Sequence, residues 1–311
     1  MPDNWEKAED LHNAFLNGLI EDFINSQPPV ARLLASNLFL RSVRTLLVSS
    51  EKQDLDLAVE AFEAFKKKLN PSEIDLFLKD LASLFDYKKF TNRQPGWNAY
   101  DLCDTSKLRT CPYCNHAYAF TLRREKKGLF RPTLDHFYTK SRYPHLALTL
   151  INLIPSCSTC NSSLKSTKNF YTNKHLHPFF DEESIIFRCE VMGKEITDIK
   201  GVFAELKASI KIVVKSKSGC IPSKNSIDTF ALQARYKELS HEGIEFLAAQ
   251  IRARNLLANM DVSQQNDQSG TALDLQSEIE EELLRFKPKR YNSYLLGKMY
   301  ADLHDLFKAP I

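Results

Sequence analysis

Glycine is scarce, with nine in 311 residues. No G-x-x-x-x-G-K-[ST] run occurs, so the phosphate cradle of a P-loop ATPase is excluded. No uninterrupted apolar run approaches the ~18 residues that a membrane span requires. The opening MPDNWEKAEDLHN is acidic and polar and lacks the basic and apolar regions of a secretory signal. These absences predict a cytoplasmic protein with no membrane partner. Net charge is also nearly missing: 42 basic against 39 acidic residues leaves +3, too little to indicate a partner. Hydrophobic residues at 43% and charged residues at 26% exclude a disordered or collagen-like chain. The seven cysteines are an odd number, and with no signal they argue against a disulfide framework.

The charge that is present is unevenly placed. From Lys107 to Lys174 twelve Lys and Arg stand against Glu125 and Asp135, a local +10 that leaves −7 elsewhere. Five of the eight histidines and four of the seven cysteines lie in this stretch or just past it.

The first hundred residues read as helices. Leu11, Phe15, Leu19 and Phe23 recur at four-residue spacing. Val30, Leu34 and Leu38 do the same, with Val43, Leu46 and Leu47 later, and Leu55, Val59, Phe62, Phe65 and Leu69 recur every three or four residues. Asn70, Pro71 and Glu73 mark a further helix start with its capping box. Residues 91–102 are a breaker-rich connection. Runs 185–191 and 203–215 favour strands and predict a hairpin or an edge insertion. Helical periods return from Ser226, residues 262–271 read as a loop, and helices over 273–286 and 290–307 close the chain around Pro288. The expected class is α+β, mainly α. A helical region at 1–100 and another at 223–311 flank a chemistry-bearing core at 103–182 and a β-rich insertion at 183–222.

Cys111-Pro-Tyr-Cys114 and Cys157-Ser-Thr-Cys160 carry the strongest spacing. Each C-x-x-C places two thiolates on one tight turn, and two such turns complete a closed tetrahedral site of the structural-zinc kind. Its binding energy would count as folding energy. A redox role for one C-x-x-C would not need the second.

Between the zinc turns, Asp135 and His136 end an apolar-alternating run, so they are expected at a strand end. Asn152 follows past a loop, and Asn161 comes directly after Cys160 on an expected short helix. The signature D-H…N…C-x-x-C-N-x-x-x-K resembles the HNH nuclease superfamily, in the subset whose ββα-metal unit is stapled by zinc. That resemblance implies His136 as general base and Asn152 as a brace for the loop that orients it. It also implies Asp135 and Asn161 as holders of one catalytic Mg²⁺ or Mn²⁺. Phosphodiester hydrolysis suits such a set. A neutral imidazole can take a water proton near neutral pH, and a hard cation can meet phosphate and leaving oxygens together. Asn161 stands where many relatives have His, which leaves the metal's identity open.

Lys165 is a candidate phosphate contact. Arg123, Arg124, Lys126, Lys127 and Arg131 form an expected basic hairpin, with Lys140 and Arg142 in the loop beyond, and all are candidate nucleic-acid contacts. His175 and His177 stand two apart and could meet metal or phosphate. His145 reads as surface or core.

The run CPYCN…LDHFYTKSRYPHLAL…NLIPSCSTCNSSLK…HPFFD, with TFALQARY and YNSYLLGKMYADL, resembles more closely the PtuB-type HNH subunits of Septu-type and retron-associated antiphage systems. The resemblance spans roughly 105–310. It implies a PtuA-type ATPase partner and, in retron versions, a reverse transcriptase with its RNA–DNA product. The substrate would be DNA, or an RNA such as tRNA. Two other readings compete: a zinc-stapled nucleic-acid-binding scaffold with a silent centre, and a stand-alone restriction or homing endonuclease.

Overall fold

The computed structural model describes residues 2–26, 31–92, 96–125, 127–196, 203, 209–261 and 271–306. The chain is α+β and mainly helical. It divides into two compact units: residues 1–113 with 118–182, and residues 114–117 with 183–311.

In the first unit, helices α1 (Glu9–Asn25), α2 (Ala31–Leu47), α3 (Lys52–Lys66) and α4 (Pro71–Leu84) lead the chain. The α4 start follows its sequence signal. The Asn70 side chain accepts from the Glu73 amide, and the Glu73 carboxylate accepts from the Asn70 amide. The α1 stripe differs from expectation by one position. Leu11 is 57% exposed, and the buried face is Ala8, His12, Leu16 and Ile20. Phe15, Leu19 and Phe23 instead line an open cavity of about 480 Å³. In α2, Leu34 and Leu38 are likewise exposed, while Val43 and Leu47 are buried as expected, together with Phe39 and Leu40. Both choices present an apolar stripe, and contacts distant in sequence select between them.

Two short helices break the expected connection: α5 (Tyr87–Thr91) and α6 (Ala99–Thr105), the latter with an Asn98–Asp101 capping box. Strands β1 (Leu122–Arg124) and β2 (Lys127–Phe130) form an antiparallel hairpin. Strands β3 (Thr133–His136) and β4 (Leu153–Ser156) form a second antiparallel pair, with Asp135 opposite Ile154 and His136 opposite Leu153. A seven-residue π-helix, Thr159–Lys165, follows.

In the second unit, β5 (Ile185–Val191) pairs with β6 (Lys194–Glu195) and with β7 (Lys211–Ser216). The second strand of the expected hairpin thus starts at Lys211, and 204–208 lie outside the described residues. Helix α7 (Ile221–Thr229) begins before the expected Ser226, because Pro222 serves its first turn, where no amide donor is needed. Helices α8 (Leu232–Glu238), α9 (Ser240–Asp261), α10 (Thr271–Leu284) and α11 (Gly297–Asp305) complete the unit. Of the expected loop at 262–271, residues 262–270 lie outside the described residues, and Thr271 already opens helix α10. The last helix starts at Gly297 rather than 290, after a 3-10 segment Pro288–Ser293. A Cβ at Gly297 would lie 2.0 Å from the Tyr291 carbonyl oxygen, so the turn requires glycine there.

Candidate metal centre and catalytic loop

The ligand atoms of Cys111, Cys114, Cys157 and Cys160 all lie within 4.8 Å of one another. Tetrahedral zinc–thiolate bonds of ~2.3 Å place sulfurs roughly 3.8 Å apart, so the donor set and its spacing fit zinc. Cys111, Cys114 and Cys160 are buried and Cys157 half-buried, the arrangement of a closed site. The Cys160 amide donates to Cys157 Sγ at 3.4 Å, which stabilises a thiolate. The backbone at the first turn is fixed as well. Tyr236 donates its hydroxyl to the Cys114 carbonyl at 2.8 Å, and the Leu296 amide donates to the Asn115 carbonyl at 2.7 Å. Asn115 holds a positive φ of 52°, a conformation that asparagine tolerates better than most residues.

Asp135 and His136 end β3, both buried. His136 Nε2 lies 3.0 Å from the Ala147 carbonyl oxygen. A carbonyl only accepts, so Nε2 carries the hydrogen and Nδ1 keeps its lone pair. The Tyr87 ring meets the imidazole edge-on at 4.5 Å. Burial pushes the His136 pKa down to about 3; the Lys140 charge adds to this and the Ala147 bond opposes it. The imidazole is therefore neutral at physiological pH, and an approaching phosphate would raise its basicity.

Asn152 is fully buried and fastens the intervening loop. It accepts from the Tyr138 amide at 2.7 Å and donates to the carbonyls of Tyr138 at 3.0 Å and Leu146 at 2.9 Å. Further side chains hold neighbouring carbonyls. His12 donates to Leu148 at 2.7 Å, His177 reaches Ile151 at 3.1 Å, and Trp5 donates to Leu153 at 3.2 Å. Trp97 donates to His12 Nδ1 at 3.0 Å, which fixes that tautomer too. His12, Trp5 and Trp97 belong to the N-terminal helical region, to which the sequence motifs assign no role. Indole and imidazole donors aimed at a loop over 130 residues away leave no local sequence signal.

Asn161 lies half-buried on the π-helix, where its carbonyl accepts from the Ser166 amide at 2.9 Å. π-Turns occur frequently at functional sites. On the same helix, Lys165 takes a different place from the one expected. It is 1% exposed, pairs with Asp135 Oδ1 at 2.9 Å and donates to the His136 carbonyl at 2.5 Å. It therefore reaches no external phosphate as it stands. Tyr113 donates to Asp135 Oδ2 at 2.6 Å. Burial, with Asp135 beside it, raises the Tyr113 phenol well above its ordinary pKa.

The donor types of Asp135 and Asn161, an anionic oxygen and an amide oxygen, suit a hard divalent cation. The Lys165 ammonium already neutralises Asp135 at Oδ1. An ion there requires Lys165 to withdraw.

The other candidates divide. Both nitrogens of His177 are engaged, since the Phe179 amide donates to Nδ1 at 3.2 Å. His175 stacks on Phe170 at 3.6 Å and bonds the Asn173 carbonyl through Nδ1. Both are core residues rather than metal or phosphate contacts. His145 is also core, stacked on Phe62 at 4.5 Å. Arg123 is taken up by Asp101 at 2.8 Å and Asp104 at 3.2 Å. Arg131 turns inward: it donates to the Pro132 carbonyl at 2.8 Å and lies over the Tyr100 ring at 5.5 Å. Neither is presented as a phosphate contact. Arg124, Lys140 and Arg142 are exposed. The Lys140 ammonium lies over the Tyr87 ring at 4.4 Å, and although the residue as a whole is exposed, partial desolvation of this end and the neighbouring Lys88 lower its pKa. Lys126 and the Lys127 side chain lie outside the described residues.

Fold and site together define an α+β, mainly helical protein with a four-cysteine cluster that could hold zinc. No helix among the described residues is long and apolar enough to cross a membrane. Over 110 residues the chain is 28% identical to protein ea31 of Escherichia phage lambda, taking in 35% of this chain. The matched stretch is 33% of that protein, so the chain spans about a third of the length of the curated relative it matches. No family profile matches the chain, and no solved structure does.

Proposed function

We propose that the chain is an HNH-type endonuclease that hydrolyses phosphodiester bonds of nucleic acid, with β3, β4 and the π-helix as its ββα unit. DNA is the favoured substrate, with an RNA such as tRNA as the alternative. We place it as the effector of an antiphage complex with a PtuA-type ATPase and, in a retron version, a reverse transcriptase.

The observation that supports this most is the His136 tautomer. A neutral imidazole with Nε2–H tied to the Ala147 carbonyl keeps Nδ1 as a fixed acceptor. Nδ1 would take a proton from water while the resulting hydroxide oxygen bonds to phosphorus. The P–O bond to the leaving oxygen then breaks, and that oxygen is protonated from solvent. Asn152 would hold the loop that presents Ala147, so it positions the base without touching substrate. Mg²⁺ or Mn²⁺, held by Asp135 and Asn161, would supply positive charge to a phosphate oxygen and the leaving oxygen.

A second reading, a zinc-stapled scaffold with a silent centre, is favoured by one observation: Lys165 already neutralises Asp135. The test is metal-dependent cleavage by the full chain, purified with any co-purifying ATPase, against the His136→Ala variant. Loss of cleavage is expected in a variant that is somewhat less stable, because the Ala147 carbonyl loses its donor, but still folded at the assay temperature. Cleavage that survives His136→Ala would sink the catalytic assignment, and a wild type that binds nucleic acid but never cuts it would favour the scaffold.

A further inference from the structure

The zinc turn at Cys111 opens onto a ribbon whose outer face is aromatic. Thr110 bridges Tyr118 antiparallel, and the Ala119 amide donates to the Arg109 carbonyl at 2.9 Å. Downstream, burial alternates with the two-residue period of an extended strand. Ala119 is buried, while Tyr118 is 60% and Leu122 42% exposed and Phe120 half-buried between them. Phe130, opposite Leu122 on β2, is 47% exposed. Tyr118 and Phe120 ring centroids are 5.4 Å apart, and Phe120 and Phe130 are 5.5 Å apart. The rings meet at 67° and 56°, so they are not stacked on one another.

Charge says what fits this face. The Arg109 guanidinium lies over the Phe120 ring at 5.5 Å. Arg124, also exposed, stands two residues past Leu122 on β1, beyond a register irregularity between Leu122 and Arg123. Glu125 is the one acidic residue between Ser106 and Leu134. A contiguous exposed apolar patch marks an interaction site. Aromatic rings interleaved with arginines match a ligand with flat apolar faces along a polyanionic backbone. A duplex buries its base faces, so it cannot use the rings.

We infer that the Tyr118–Phe120–Phe130 ribbon is a stacking platform for single-stranded nucleic acid, with Arg109 and Arg124 on its phosphates. The inference does not rest on His136, because it concerns binding and not cleavage.

The experiment is fluorescence anisotropy with the full-length protein, in buffer without added Mg²⁺ or Mn²⁺. The probes are labelled dT15, rU15 and a 15-base-pair duplex. The variants are Tyr118→Ala with Phe130→Ala, and Tyr118→Trp as a fold-neutral aromatic control. Wild type is expected to bind one or both single strands at least tenfold more tightly than the duplex. The double variant is expected to lose about 30-fold or more on single strands, as stacking of about 1–3 kcal/mol at each of two rings implies, while Tyr118→Trp retains binding. Arg124→Gln is expected to flatten the salt dependence, which the alanine variants leave unchanged. Equal affinity for duplex, or wild-type binding by the double variant at unchanged melting temperature, overturns the inference. So does a wild-type dimer that Tyr118→Ala dissociates, which would show the face to be covered by a second copy.

Discussion

Lys165 and Asp135 form an ion pair at 2.9 Å with side chains only 1% and 2% exposed. Removing one partner strands a charge in a low-dielectric interior, which costs about 3–5 kcal/mol. Lys165→Met is expected to lower unfolding free energy by that amount in chemical denaturation. Adding Asp135→Asn to it should restore much of the loss. A single-variant cost under about 1 kcal/mol would show that the pair is open to water.

The cysteine cluster is expected to bind one zinc per chain by elemental analysis. Cys111→Ser or Cys160→Ser should release it and destabilise the first unit, since metal binding and folding share one free energy. Chelation of the wild type should lower its melting temperature. An unchanged melting curve in the presence of a strong chelator would dismiss the four-cysteine site.

Asn152 makes three buried hydrogen bonds to the loop. Asn152→Ala leaves the Tyr138 amide and the Tyr138 and Leu146 carbonyls without it. At about 1–3 kcal/mol per buried unsatisfied group, a total cost near 3 kcal/mol or more is expected. If His136 is the base, cleavage should fall further than stability accounts for, because Ala147 moves with the loop. Full activity in a folded Asn152→Ala protein would remove Asn152 from any positioning role.

Three other buried histidines set a pH dependence. Burial lowers His12 to about 4 and His145 and His177 to about 3. Each stays neutral in the folded state and gains a proton near pH 6.5 when unfolded. Their contribution is therefore complete above about pH 6.5 and is lost as pH falls toward 4 to 3. The slope is about 1.4 kcal/mol per pH unit for each histidine. Urea midpoints measured from pH 8 to pH 4 should decline below pH 6.5, and His145→Leu should shallow the decline. A flat profile would mean that these rings are accessible to protons in the fold.

Much of the centre was legible because its determinants are local. The paired C-x-x-C turns, the Asn70–Glu73 capping box and the strand-ending Asp135–His136 each lie within a few residues. What sequence missed depends on distance. The buried face of α1 is chosen by His12 bonding Leu148, 136 residues away. Arg123 reads as a free hairpin cation until Asp101 and Asp104 fold against it. Lys165 reads as a phosphate contact until the fold pairs it with Asp135 at the end of β3. Helices α5 and α6, five and seven residues long, are too short for periodicity to declare them. None of these depends on the residue type alone.

The loop between His136 and Leu153 has a consequence for the order of assembly. Its carbonyls are held by Trp5 and His12, at sequence separations of 148 and 136 residues. Contacts of that span carry a large closure entropy and form late. A chain that has made only its local contacts therefore holds this loop by Asn152, without the Trp5 and His12 bonds. If the proposed role of His136 holds, an immature or N-terminally clipped copy would carry every signature residue and still lack the Trp5 and His12 bonds that fasten the segment beside it.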